Sequence, residues 1–231
     1  MIRVNVVAEG QSEMKFVKDS LNRYFGGVPL MDSRSVLTSR NSKTNYEYRG
    51  GLLEYRHAKG DILRWFKEDP KAHITTMFDF FRLPSDFPGY EKAMACQDHR
   101  ESVRILEEEL KSDIISKLEV KNPERRFIPY IQLHEFEALL FTDIKVLKYD
   151  YILPEEIAQI EKLYEGTKGI PPEEINHGAE TAPSKRLLQA VDYKKGETVS
   201  ELLNFIGIPA IRKKCPHFSE WLEKLQNLPE L

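Results

Sequence analysis

Cysteine is scarce in this chain of 231 residues: only Cys96 and Cys215 occur, far apart and in no CxxC spacing. Neither a disulfide framework nor a cysteine-built zinc site is indicated. Long apolar runs are missing as well, and nothing approaches the roughly 20 consecutive residues that span a bilayer, so the chain is not read as a membrane protein. Charge of one sign does not dominate, since 34 Lys and Arg stand against 37 Asp and Glu, a net −3. A polyanion would therefore have to be met by a local basic surface or by a metal. There is no Walker A loop and no dinucleotide fingerprint, which argues against a P-loop ATPase and a dehydrogenase. Poly-basic tails, low-complexity tracts and internal repeats are also lacking. The start, residues 1–8, is too short and too alternating for a secretory signal and reads as a strand, so a cytoplasmic location is expected.

What is present is a globular composition, 41% hydrophobic and 31% charged, long enough for one sizeable core. Three apolar runs read as buried strands, residues 2–8, 74–80 and 127–133, with a weaker candidate at 35–38. Each is followed by a helical pattern: 12–25 after the first, closed by Gly26-Gly27; 90–95 and 98–118 after the second; 135–141 after the third. Strands alternating with helices predict an α/β fold with a mostly parallel sheet between two helical layers, Rossmann-like or Toprim-like. From residue 153 onward the pattern is helical, at 155–164, 184–193, 199–205, 209–213 and 218–225. The expected division is an α/β core over 1–150 and a helical appendage over 151–231 packed on it. Residues 41–51 read as an exposed loop.

In a parallel sheet ligands collect at the carboxyl ends of the strands, and three strand ends carry acids. Glu9 closes the first, Gly10 is expected to make the turn, and Glu13 stands in the first helical turn. Asp79 ends the second strand between aromatics, and Glu135 and Glu137 follow the third. Clustered carboxylates suit Mg2+ or Mn2+, which take oxygen ligands. Taken alone, Glu13 is better accounted for by the helix dipole, Asp79 equally well by capping the next loop, and at most one of Glu135 and Glu137 is expected to face the site. His134-Glu135 lacks the second histidine of a zinc protease, because Ala138 stands there, and Gly10-Gln11-Ser12-Glu13-Met14 lacks the closing glycine of a serine-hydrolase elbow. Positive charge comes from Arg34, Arg40, Lys43, Arg49, Arg56 and Lys59, interleaved with Tyr46, Tyr48 and Tyr55, a pattern suited to phosphates and stacked bases, though also that of a solvated loop. Lys185 and Arg186 form a second basic pair at a helix start, where a lysine could neutralise a developing phosphate charge.

Together, Ala8-Glu9-Gly10-Gln11-Ser12-Glu13, the stretch from Asp79-Phe80-Phe81 to Pro88-Gly89, the run from Arg126 through Gln132-Leu133-His134-Glu135-Phe136-Glu137 to Phe141, Pro183-Ser184-Lys185-Arg186-Leu187 and Cys215-Pro216-His217-Phe218 resemble a bacterial domain-of-unknown-function family, number 4276. That family is similar to the Toprim domains of topoisomerases, primases and the overcoming-lysogenization-defect nucleases, which set a glutamate after the first strand and acids after later strands around magnesium. The resemblance implies Glu9 as the lead acid, Glu13 as a second metal-site glutamate and Lys185 as an assisting lysine. It departs from the pattern at Phe81, where the second member of an aspartate pair would stand, which leaves Glu135 or Glu137 to supply that ligand. It also implies a partner ATPase in an anti-phage or mobile-element locus.

The leading expectation is a Mg2+- or Mn2+-dependent nuclease, with Glu9, Glu13, Asp79 and Lys185 carrying the chemistry and Glu135 or Glu137 completing the metal site. Nucleic acid is expected to meet Arg40, Lys43, Arg49, Arg56, Lys185 and Arg186. The rivals are a non-catalytic module that binds a partner ATPase or nucleic acid, and a small-molecule phosphohydrolase. A homo-oligomer is left open.

Overall fold

A computed structural model describes residues 1–40, 47–120, 122–175, 181–193 and 197–231. The first strand, β1 (Arg3–Ala8), has Val4, Val6, Val7 and Ala8 buried. It leads into one helical run made of α1 (Gln11–Phe16), a π-helical turn at Val17–Leu21 and α2 (Asn22–Phe25), ended by Gly26 in the left-handed region at φ 60°. The next core strand is β2 (Leu30–Ser35), which lies ahead of the strand expected at 35–38. Its buried positions are Met31, Ser33 and Ser35, and two serines give little apolar periodicity to read. Their hydroxyls are satisfied within the fold: Ser33 Oγ donates to the Met14 carbonyl and Ser35 Oγ accepts from Gln11 Nε2.

Of the exposed loop expected at 41–51, residues 41–46 lie outside the described residues, while β4 (Glu47–Arg49) pairs antiparallel with β3 (Leu37–Arg40). The segment after it, read as part of a basic loop, is instead the helix α3 (Tyr55–Glu68), whose Tyr55, Ala58, Ile62, Trp65 and Phe66 form one buried face. Strand β5 (His73–Asp79) is buried at every position. The helices α4 (Tyr90–Met94), α5 (His99–Ile115) and α6 (Pro123–Arg126) follow. The strand expected over 127–133 is broken at Pro129 into β6 (Phe127–Ile128) and β7 (Ile131–Gln132), since proline cannot donate to a ladder. The helix expected at 135–141 is a 3-10 segment, Phe136–Thr142, followed by another at Ile144–Tyr149. The remainder is helical: α7 (Pro154–Thr167), α8 (Pro183–Ala190), α9 (Glu197–Ile206), α10 (Ile208–Lys214) and α11 (Pro216–Gln226).

The sheet runs β2-β1-β5-β6, with β7 also on β5, and every pairing in it is parallel. Side chains alternate across β1 and β5 with the period of two that a pleated strand imposes. Val4, Val6 and Met77 share one core with Phe16, Leu187, Val199, Leu202, Phe218 and Trp221, whereas Val7, Ile74 and Phe78 share the other with Ile62, Trp65, Val103, Leu106 and Phe127. The fold is thus a three-layer α/β sandwich: the first helical run and the C-terminal helices cover one face, α3 and α5 the other. Among the described residues no helix is long and apolar enough to cross a membrane.

The C-terminal layer is locked to the sheet by Trp221, which is fully buried, stacks on Tyr130 at 4.3 Å and 11°, and donates from Nε1 to Thr75 Oγ1 at 2.9 Å. Replacing it by alanine leaves a large cavity and an unpaired threonine in the core. Trp221→Ala should lower the unfolding free energy by about 3–5 kcal/mol, read from the urea midpoint at unchanged slope; a loss under about 1 kcal/mol would show that these helices do not share the core.

Candidate functional site

The strand order turns back between β1 and β5: the chain goes from β1 outward to β2 on one side, then returns to β5 on the other. Crevices form at such reversals, outside the carboxyl ends of the strands. Here Glu9 directly follows β1, Asp79 is the last residue of β5, and Gln132 of β7 lies opposite Asp79 in register, so the chain leaving β7 brings Glu135 and Glu137 to the same end.

Glu9, Glu13, Asp79, Glu137 and Arg82 line one cleft of about 230 Å3, with Gly10, Gln11, Ser12 and Gly51. All four carboxylates belong to buried residues. Glu9 Oε2 accepts from the Asp79 backbone N–H at 3.0 Å, tying the ends of the two central strands together. Glu13 Oε2 accepts from the Gly10 N–H at 3.0 Å. Gly10 is extended, at φ −138° and ψ −169°, a conformation open to any residue. What glycine supplies there is room, because a Cβ at this position would stand 3.0 Å from that same Glu13 oxygen. Asp79 Oδ1 is buried and has no hydrogen-bond partner. Glu137 Oε1 accepts from Tyr193 OH at 3.4 Å.

Crowding and burial act on these acids in the same direction. The Asp79 carboxyl is pushed well above the usual range, first by burial, then by Glu9, Glu13 and Glu137, with Arg82 opposing. Glu9 is raised by burial; its bond to Asp79 and the Arg82 charge oppose this, and Glu137 and Glu135 add to it. Glu13 rises to about 7, again chiefly by burial, with Glu9 and Glu137 contributing and the backbone N–H bonds opposing. Burial and mutual repulsion thus favour the protonated forms of Glu9, Glu13 and Asp79, against the opposing charge of Arg82.

Arg82, which the sequence reading did not single out, is the resident cation. Its guanidinium lies 4.0 Å from Glu9 Oε1, 3.9 Å from Asp79 Oδ2 and 3.9 Å from Glu135 Oε1. Burial disfavours its charge, but Asp79, Glu9, Glu137 and Glu135 together raise its pKa. The available signal was its place three residues after Asp79 in a single 3-10 turn, Phe80–Arg82, which directs both side chains to the same cleft.

The other expected residues are distributed differently. Glu135 is engaged at the start of α8, accepting from the Ser184 N–H at 2.8 Å and the Ser184 hydroxyl at 2.9 Å. Lys185 is exposed and contributes nothing to the lining of the cleft, and Arg186 Nε donates to the Thr181 carbonyl. Arg40 ends β3 and Arg49 ends β4, and Lys43 and Tyr46 lie outside the described residues. Arg56 pairs with Glu54, Lys59 with Asp113, and Arg34 pairs with Glu68 while lying over Trp65. Those three cations have carboxylate partners and none of them lines the cleft.

Among the described residues, no three His, Cys, Asp or Glu side chains are placed, as they stand, to hold a metal ion. The chemistry of the donor set nevertheless fits a hard divalent cation: every donor is a carboxylate oxygen, and one of them, Asp79 Oδ1, is a buried acceptor with no partner. Drawing the acids around an ion would require side-chain movement and displacement of Arg82.

A family model described as a domain of unknown function (DUF4276) matches residues 8–226. No curated protein and no solved structure matches the chain.

The raised carboxyls predict an inverted pH dependence. Glu13 titrates at about 7 when folded against 4.5 for an ordinary glutamate, so the folded state retains its proton between those values and stability falls as pH rises through that window. In EDTA, Glu13→Gln should match wild type at about pH 4 and exceed it by on the order of 3 kcal/mol at about pH 8. Urea unfolding across that range measures the difference; a gap that does not widen with pH would contradict the protonated cluster.

Proposed function

The chain belongs to the DUF4276 family, and we propose that it is a divalent-metal-dependent phosphodiesterase acting on nucleic acid, with a Toprim-like arrangement of acids. The observation that carries this reading is the set of four buried carboxylates sharing one cleft at the reversal of a parallel sheet, one of them with an unpartnered oxygen. Such a set is costly in isolation, and a cation offsets the mutual repulsion. A glutamate after the first strand and an aspartate after the neighbouring strand support the Toprim-like reading.

Glu9, Asp79 and Glu137 would hold a magnesium or manganese ion, with Glu13 beside them. When bound, the ion supplies Lewis-acid polarisation of the phosphate and a water of lowered pKa. Glu13, fixed through the Gly10 N–H, is placed to accept a proton from the attacking water. Arg82, half-exposed at the cleft mouth, can exchange its carboxylate contacts for phosphate oxygens and neutralise charge that develops there. In this scheme Arg82 takes the part that the sequence reading gave to Lys185. The chain carries no Walker A loop, so it is not itself a P-loop ATPase, and a partner ATPase belongs to this proposal as a separate chain.

One observation favours a second reading. Arg82 already stands about 4 Å from three acids, and that network could serve a non-catalytic module which binds nucleic acid or a partner ATPase. Cleavage of labelled oligonucleotides with Mn2+ separates the two. Glu9→Gln and Asp79→Asn should each lower the metal-dependent rate on the order of 100-fold or more, and Mn2+ should raise the wild-type melting temperature but not that of Asp79→Asn. Full cleavage by either variant would refute the assignment. If Mn2+ neither binds nor supports cleavage in wild type, the non-catalytic reading holds.

A further inference from the structure

A second and larger concavity, about 910 Å3, lies between the 3-10 segments at 136–142 and 144–149, the end of α7, and α9 with α10. Its lining carries five cations, Arg100, Lys145, Lys168, Lys213 and Lys214, against two carboxylates, Asp143 and Glu174. That bias is local, since the chain as a whole is at −3. Lys145 pairs with Glu161 at 3.3 Å, Lys168 with Glu165 at 3.6 Å and Arg100 with Glu173 at 4.0 Å, while Lys214 donates to the Thr142 carbonyl. Lys213 is exposed and has no ion-pair partner among the described residues. The exposed lysine pairs are worth little in water and exchange readily for a phosphate.

The same groove presents an aromatic face. Phe205 lines it, is 66% exposed, and stacks at 5.1 Å and 20° on Tyr149, itself 70% exposed. A second aromatic station stands beside the acid cleft. Phe81, 44% exposed, stacks on His134 at 4.9 Å and 12°, with His99 edge-on to both.

The large groove approaches the second station through the histidines that Phe81 packs on. Arg100 and Glu174 line both the large groove and a cavity of about 250 Å3 that also contains His99 and His134. Phe81 then precedes Arg82, which reaches the acids. Along the chain, Glu137 of the cleft and Thr142 of the groove are the near and far parts of one 3-10 segment, a separation of about 10 Å at about 2 Å per residue.

We infer that a single-stranded nucleic acid binds along this path, leaving the acid cleft over the Phe81–His134 stack and entering the basic groove at Phe205. The inference rests on the phosphodiesterase reading for its acidic end alone. Exposed ring faces alternating with cations are what unpaired bases and their phosphates use, and bases already stacked inside a duplex cannot reach such rings. The occupant is thereby a strand with free bases.

Fluorescence anisotropy of a labelled oligothymidylate, titrated with the full chain in EDTA so that no cleavage occurs, tests the track apart from the chemistry. Phe205→Ala and Lys213→Glu alter exposed side chains and should fold as wild type does. Each should weaken binding about tenfold, Lys213→Glu should also flatten the salt dependence, and Phe81→Ala should act in the same direction. Unchanged affinity in Phe205→Ala and Lys213→Glu overturns the inference, as does equal affinity for duplex, or displacement of the oligomer by a mononucleotide at comparable concentration. If the variants weaken binding but wild type cleaves nothing with Mn2+, the track stands and the phosphodiesterase reading falls. If wild type cleaves and the variants bind as it does, the reverse holds.

Discussion

Four carboxylates held in one buried cleft are the constraint around which this fold is arranged. Each ionised acid taken out of water is destabilising unless paired, and Glu9, Glu13, Asp79 and Glu137 face one another as well as the interior. The surrounding structure relieves part of this. Backbone N–H groups at the end of β5 and at Gly10 serve Glu9 and Glu13, Tyr193 serves Glu137, and Arg82 stands across Glu9, Asp79 and Glu135. The relief is incomplete at Asp79 Oδ1. A buried carboxylate oxygen without a partner is costly, and on the proposed reading a bound cation would offset that cost.

Acids outside the cleft lining secure two helices of the C-terminal layer. Glu135 receives both the N–H and the hydroxyl of Ser184 at the start of α8, and Glu173 receives the N–H groups of His217 and Phe218 at the start of α11. Both helices therefore begin on a buried carboxylate, which their orphan N–H groups and dipoles favour. Glu135 also lies within 3.9 Å of Arg82. The position of α8 is thus linked to the charge in the cleft through one arginine and one glutamate, and rearrangement of the acids around a cation would be felt at the C-terminal layer.

The sequence shows a good deal of this, and its failures share a cause. The strands at 2–8 and 74–80 were legible because their buried faces are apolar, and the strand ends at Glu9 and Asp79 followed. Strand β2 was hidden because its inward residues are serines, whose burial depends on partners elsewhere, Met14 and Gln11. Helix α3 was masked by its basic residues, one of which, Lys59, is neutralised by Asp113 on α5, an acid invisible to a local reading. The C-terminal helices were found individually, but their role as one face of the sandwich depends on contacts such as Trp221 with Thr75, separated by 146 residues. Periodicity reports which face of an element is buried; it does not report what lies opposite. For the same reason Glu135 and Glu137 could not be told apart until the 3-10 geometry turned one toward Ser184 and the other into the cleft.

Phe81 brings these considerations together. On the resemblance to Toprim-like proteins it stands where a second aspartate would lie, and an aromatic there reads as the loss of a ligand. In the structure its ring is half-exposed and stacked on His134, whose backbone holds φ at 66°, in the left-handed region that a non-glycine residue enters at a cost. The Phe81 N–H donates to the His134 carbonyl at 3.2 Å, so the two residues are fixed by backbone as well as by rings. A position that had simply lost its acid would need no such support. With Glu137 contributing a carboxylate to the cleft, the Phe81 position is released for a flat apolar surface at its edge. On the proposed reading the acids occupy the cleft and the Phe81 ring stands next to Arg82 outside its lining, so an aromatic at this position is compatible with a metal site built on Glu137.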